Sequence, residues 1–167
     1  EGDRQLTISY NPGSRNGAKT GEVAYQYRFG NGNWTAIPGD NVIRGLANGT
    51  NYNVQVRGVA TVDGTTYAGA VSNTASGNPY GKPHTPTGGA QQLTTQVRLS
   101  WNATGSDNGR SISTVQISID GGGWQGVGLS GSTDVGNDYD QAHNIRVRAR
   151  DSTGVWSDVS QTYSAQS

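Results

Sequence analysis

Tyr52-Asn53-Val54-Gln55-Val56-Arg57 alternates apolar and polar side chains without a break, and His143-Asn144-Ile145-Arg146-Val147-Arg148 repeats the pattern almost residue for residue. A period of two marks a strand with one face buried, because successive side chains leave opposite faces. Moving outward from these runs, the flanks repeat as well. Leu6-Thr7-Ile8-Ser9-Tyr10 has its counterpart in Val97-Arg98-Leu99-Ser100-Trp101. Each copy also holds a glycine-rich hairpin that ends in a tryptophan, Trp34 or Trp124. A repeat of this length is a small domain rather than a solenoid unit.

Composition agrees with two thin domains. The chain has 167 residues, of which 31% are hydrophobic. Divided in two, each half sits near the lower size limit for a stable core. A two-layer sandwich uses few apolar residues well, since alternate positions of every strand point inward. Cysteine is absent, so disulfides, thiol chemistry and thiolate metal sites are excluded. Twelve basic and twelve acidic residues balance, which argues against nucleic acid or an anionic membrane as the main partner. No stretch is apolar and long enough for a membrane span, and the chain begins mid-pattern, like an excised fragment.

The alternation predicts strands over Gln5–Tyr10, Val23–Phe29, Trp34–Ile37, Asn41–Arg44, Tyr52–Ala60 and Ala70–Ser76. Gly30-Asn31-Gly32-Asn33 between two of them is a tight-turn signal. In the second copy strands are predicted over Val97–Trp101, Ile112–Ile119 and His143–Arg150, with a last one starting near Trp156. Asn78–Pro86 holds three prolines and reads as a semi-rigid connection. The expected domains are 1–78 and 87–167, with a Pro-rich linker at 79–86. Pro83–Thr95 can supply an opening edge strand to the second domain. Only Glu1–Arg4 precede the Gln5–Tyr10 strand, which leaves the first domain without an opening strand, and an uncovered edge invites self-association.

The aromatic that ends the second strand (Tyr10 or Trp101) and the segment Leu46-Ala47-Asn48-Gly49-Thr50-Asn51-Tyr52 resemble fibronectin type III domains. The resemblance covers the whole chain as two tandem copies. It implies an all-β fold of two tandem immunoglobulin-like (fibronectin type III) antiparallel β-sandwiches. It further implies that Leu46 plugs the core and that the Tyr52 hydroxyl ties a crossover loop to the next strand, a tyrosine corner. In the second copy Val135 stands in for the leucine and His143 for the tyrosine, two residues further apart, and a looser crossover loop is expected. The proline-rich connection and the Trp-bearing hairpins are similar to tandem modules of actinobacterial, including bifidobacterial, surface proteins. That likeness makes a host cytokine of the tumour necrosis factor type a candidate partner.

The strongest chemical constellation is Arg146, Arg148 and Arg150 on one strand face, followed by Trp156-Ser157-Asp158-Val159-Ser160. It resembles the Trp-Ser-x-Trp-Ser motif of class I cytokine receptors, with Val159 in place of the second Trp. A guanidinium–indole ladder is expected, structural first, with Arg146, Arg148, Arg150, Trp156, Ser157 and Ser160 as the binding candidates. Tyr10 and Trp101 are expected in the cores, and Trp34 and Trp124 are expected to pack over the sheet edge. Asp134, Asn137, Asp138 and Asp140 do not have the spacing of a calcium loop and read as a solvated segment. The only histidines, His84 and His143, fall in different domains, without zinc-ligand spacing. No nucleophile has a recognisable base beside it. The expectation is a non-enzymatic extracellular or cell-surface binding and adhesion module without a cofactor. Contacts are expected through Asn11–Thr20, Val62–Tyr67, Asn102–Arg110 and Asp151–Gly154. A structural spacer and a carbohydrate-binding accessory module are the rival readings.

Overall fold

The computed structural model describes residues 1–167. The chain divides into two compact units, Glu1–Tyr80 and Gly81–Ser167. It contains fourteen strands, all strand pairs are antiparallel, and there is no helix, so no helix is available to cross a membrane. In unit 1 the strands are β1 (Gln5–Thr7), β2 (Val23–Phe29), β3 (Thr35–Ala36), β4 (Val42–Arg44), β5 (Tyr52–Val62), β6 (Thr65–Ala68) and β7 (Ala75–Gly77). In unit 2 they are β8 (Thr87–Gln92), β9 (Val97–Asn102), β10 (Ile112–Ile119), β11 (Gln125–Val127), β12 (Ser130–Val135), β13 (Ala142–Asp151) and β14 (Tyr163–Gln166).

Unit 2 is a complete sandwich. One sheet runs β12-β9-β8 and the other β11-β10-β13-β14. Their inner faces meet through Val97 and Leu99 of β9, Val115 and Ile117 of β10, and Ile145, Val147 and Ala149 of β13, all buried. The strict alternation of β13 is the cause: its even partners, Arg146, Arg148 and Arg150, leave on the other face. This three-plus-four arrangement is that of a fibronectin type III sandwich. The proline-bearing segment from Gly81 onward runs along this unit. The amides of Gly81 and His84 donate to the carbonyls of Asn108 and Ser106.

Unit 1 repeats the larger sheet, with β3-β2-β5-β6 in order and β7 also on β5. Its smaller sheet is β1-β4 alone. The buried cluster is correspondingly smaller: Leu6, Ile8, Ile43 and Leu46, with Tyr10, Tyr27, Phe29, Ile37, Tyr52, Val54 and Val56 packed against it. The continuous strand expected over Ala70–Ser76 is interrupted. β6 ends at Ala68 and β7 starts at Ala75, and between them only Gly69 and Ser72 bond to β5, at the Gly58 and Val56 carbonyls.

Candidate binding surface

The outward face of β13 is built by a direct cross-strand pair. Arg148 lies opposite Gln116 of β10. Its Nε and Nη2 both donate to Gln116 Oε1, at 3.0 and 2.6 Å. Two bonds in the guanidinium plane hold that plane still and leave its faces for aromatic partners. Trp124, arriving from the glycine turn, lies 4.2 Å from the guanidinium carbon, and Trp156 lies 4.3 Å from it. Arg146 reaches Trp124 at 5.9 Å and Arg150 reaches Trp156 at 5.2 Å. The result is a row, Arg146–Trp124–Arg148–Trp156–Arg150. Each such contact contributes about 0.5–1 kcal/mol at a half-exposed site. Trp124 belongs to this row, not only to the sheet edge. The sequence signal was available, since a Trp closes the glycine turn in both copies.

Ser157 and Ser160 have a different task from the one their motif suggests. The Ser157 amide donates to the Ala149 carbonyl at 2.7 Å, while its hydroxyl accepts from the Ala149 amide at 3.0 Å. Ser160 does the same with Val147, at 2.8 and 2.9 Å. Each hydroxyl then donates to the carbonyl of the next residue, Asp158 or Gln161, at 2.8 Å. A serine side chain thus replaces a missing strand carbonyl twice, and no amide of β13 is orphaned there. Both serines are buried. As direct contacts for a ligand they are corrected: they hold the segment that carries Trp156.

Unit 1 carries half of the same device. Arg57 lies opposite Gln26 and donates to its Oε1 at 3.0 Å. Trp34 lies 4.3 Å from Arg57 and 4.7 Å from Arg28, whose Nε and Nη2 are held by Gln55 Oε1. Ala68, paired with Val59, occupies the place that Trp156 takes beside Arg150. Ser72 repeats Ser160, accepting from the Val56 amide at 2.9 Å and donating to the Asn73 carbonyl.

The crossover loops separate the copies further. In unit 1 the Ala47 amide donates to the Tyr52 hydroxyl at 2.9 Å and Leu46 is buried beside it, a tyrosine corner. In unit 2 His143 holds the register of Tyr52, but its Nδ1 lies 2.7 Å from Asp120 Oδ2, on the turn after β10. Asp120 Oδ1 also accepts from the Asn144 amide. Val135 lies opposite Val97, as Ile43 lies opposite Leu6. Val135 is therefore the counterpart of Ile43, not of Leu46. Nor is this crossover loop loose: Ser167 donates from its hydroxyl to the Asp138 carbonyl at 2.6 Å, and its carbonyl accepts from the Asp140 amide. Tyr10 packs against Tyr25 with centroids 4.8 Å apart and ring planes tilted by 45°, and the Trp101 indole donates to the Gly128 carbonyl at 3.0 Å. Both are half-buried and packed against their cores.

The turn that delivers Trp156 is closed by Asp151, which is 1% exposed. Its Oδ1 accepts from the Thr153 amide and hydroxyl, both at 2.8 Å, and from the Val155 amide at 3.0 Å. Burial favours the neutral acid, but the Thr153 hydroxyl and the amides of Val155, Thr153 and Gly154 outweigh it. The carboxyl is held below its usual range. Asp134 is bound by Arg98 through two bonds of 2.8 Å, and that guanidinium lowers its pKa. No group of three or more His, Asp or Glu side chains comes together to hold a metal ion. Among the four expected contact segments, Val62–Tyr67 is itself a hairpin, turned by Asp63 and Gly64 at positive φ.

No protein-family model matches the chain, and no curated protein does. Sixty-nine chains of solved structures match. One of them, a crystal structure of the chicken CNTN1 FN1–FN3 domains, is 20% identical over 99% of this chain, with a TM-score of 0.38. This chain spans 64% of its length. Strand order and register carry the class of the molecule: a tandem of fibronectin type III-like β-sandwiches.

Proposed function

We propose that the chain is a non-enzymatic binding and adhesion segment of a larger extracellular surface protein, and that it engages a protein partner through the outer face of β13. One observation supports this above others. Arg146, Arg148 and Arg150 stand on one half-exposed face with two indoles between them, and no carboxylate neutralises them. Preorganised Arg and Trp side chains are the residues that dominate protein interfaces. The uncompensated charge fits an acidic patch on the partner. The likeness to bifidobacterial surface modules makes a tumour necrosis factor-like cytokine the first partner to try.

The test is surface plasmon resonance of the intact chain against such a cytokine and a panel of host surface proteins and glycans. Arg146→Ala and Arg150→Ala touch only the ends of the row and leave Arg148 in place. Together they should weaken binding by about tenfold or more and flatten its salt dependence. Silence across the panel would favour a spacer, and binding to glycans alone would favour a carbohydrate module.

A further inference from the structure

Arg57 stands on β5 where Arg148 stands on β13: opposite a glutamine, Gln26 or Gln116, with the hairpin indole on one side of its guanidinium. Arg148 has a second indole, Trp156, on its other side, whereas Trp34 is the one ring beside Arg57. Next to Arg57, three small apolar side chains lie abreast on neighbouring strands: Ala24 of β2, Val59 of β5 and Ala68 of β6. They share its face, because Val59 is two residues further along β5 and the alanines are the direct partners of Val59. Ala24 and Ala68 are exposed, and Val59 lies buried between them. In unit 2 the same three places hold Thr114, Arg150 and Trp156. Unit 1 thus presents an empty rung: a small apolar floor with a flat, fixed cation as its wall. Neither Arg57 nor Arg28 has a carboxylate partner.

The same chain carries a matching group. Of its exposed large hydrophobic side chains Tyr139 is the most exposed, at 68%. Asp138 and Asp140 flank it, both exposed and both outside any salt bridge. The backbone beneath them is held. The Ser167 hydroxyl donates to the Asp138 carbonyl at 2.6 Å, and Gln166 Nε2 donates to the Asp140 carbonyl at 3.3 Å. A ring already held out on a fixed loop loses little freedom when it docks. Its face attracts a guanidinium, and the aspartates bring negative charge to a surface with two unpaired positive ones.

We infer that copies of this chain associate head to tail, the Tyr139 ring of one copy filling the empty rung beside Arg57 of the next. The ring stacks on the free side of that guanidinium, over Ala24 and Ala68, and Asp138 and Asp140 supply the charge that Arg57 and Arg28 lack. The β13 row does not receive the ring, because Arg148 is covered on both sides. Ring and rung are different surfaces of one chain, so every added copy leaves one of each free and growth continues past the dimer. One ring and two carboxylates cover far less than the ~1,000 Å² of a stable interface, so each contact is weak and transient. Salt screens its charged part. The contact is independent of the β13 face, and the failure of either leaves the other standing.

Sedimentation of the intact chain tests this. Its average mass should rise with concentration up to about 1 mM in low salt and fall back when salt is added. Tyr139→Ala removes the ring from an exposed position. Ala68→Trp fills the rung from within and leaves Arg57 in place. Each variant alone should associate at least about tenfold more weakly than the parent. Mixed, the two should form a one-to-one pair and nothing larger, because one supplies the rung and the other the ring. In that mixture the Trp34 indole signal of the Tyr139→Ala chain should shift in a nuclear magnetic resonance titration. Thermal midpoints no lower than the parent's identify variants that still fold. A parent chain that stays monomeric at about 1 mM, undiminished association of either variant, or a mixture that does not pair would each overturn the inference. So would association that is lost in a folded Arg146→Ala, Arg150→Ala double variant, since the β13 row would then be the receiver.

Discussion

Asp151 is the residue on which the ladder face turns, since three donors meet on one of its oxygens just before Trp156. Its carboxyl is more acidic in the folded chain than in a free peptide. It therefore supports the fold above the unfolded value of about 4, and that support fades as the pH falls through the lower folded value. Asp151→Asn keeps an acceptor but loses the charge. It should destabilise unit 2 at neutral pH by about 1–3 kcal/mol. The gap to the parent chain should narrow below pH ~4. Urea denaturation across pH checks both. A difference that stays constant down to acid would mean that the charge contributes nothing. Gly136 is a second sensitive residue. Its φ is +81°, and an added Cβ would stand 2.8 Å from His143 Nε2. Gly136→Ala should therefore destabilise unit 2 through both strain and crowding, by at least about 1 kcal/mol in denaturant titrations.

At the scale of elements, β13 and β5 are one design executed to different lengths. Both place Arg opposite Gln and stack the held guanidinium on the hairpin Trp, but only unit 2 adds a second indole. Trp156→Ala removes two of these contacts and some apolar cover, so it should cost about 1–3 kcal/mol. Ala68→Trp offers Arg57 a second indole and should stabilise unit 1 by about 0.5–1 kcal/mol. Chemical denaturation of both variants decides whether stacking or mere bulk matters.

Strands with a buried face were legible, because Ile145, Val147 and Ala149 alternate with arginines. β12 was not. Ser-Gly-Ser-Thr-Asp-Val carries almost no apolar signal and is held by pairing with β9, including the Arg98–Asp134 bridge. Because that strand was invisible, Val135 was matched to the wrong residue of the first copy. The row itself was half legible. The arginines and Trp156 are neighbours in sequence, whereas Trp124 joins them only through the register of β10 on β13. The serines misled, because a motif shows which residues recur and not which way they face.

Across the whole molecule the two units differ in the size of their cores. Unit 2 buries eight apolar residues in its central cluster and unit 1 buries four. Thermal unfolding should show unit 1 melting first, with amide exchange in β1 and β4 faster than in β9 and β12. A single transition with uniform protection would contradict this.

The row on unit 2 has an optical consequence as well. Trp124 and Trp156 lie 4.2 and 4.3 Å from the same guanidinium carbon, and their electronic transitions are expected to couple across it. Coupled indoles produce a paired positive and negative band in ultraviolet circular dichroism. Replacing either tryptophan should abolish the whole pair, whereas replacing Trp34, alone on its sheet, should leave it intact. Any event that draws Arg148 out of its place and lets the indoles move would then register in the ultraviolet dichroism of the protein itself, with no label attached.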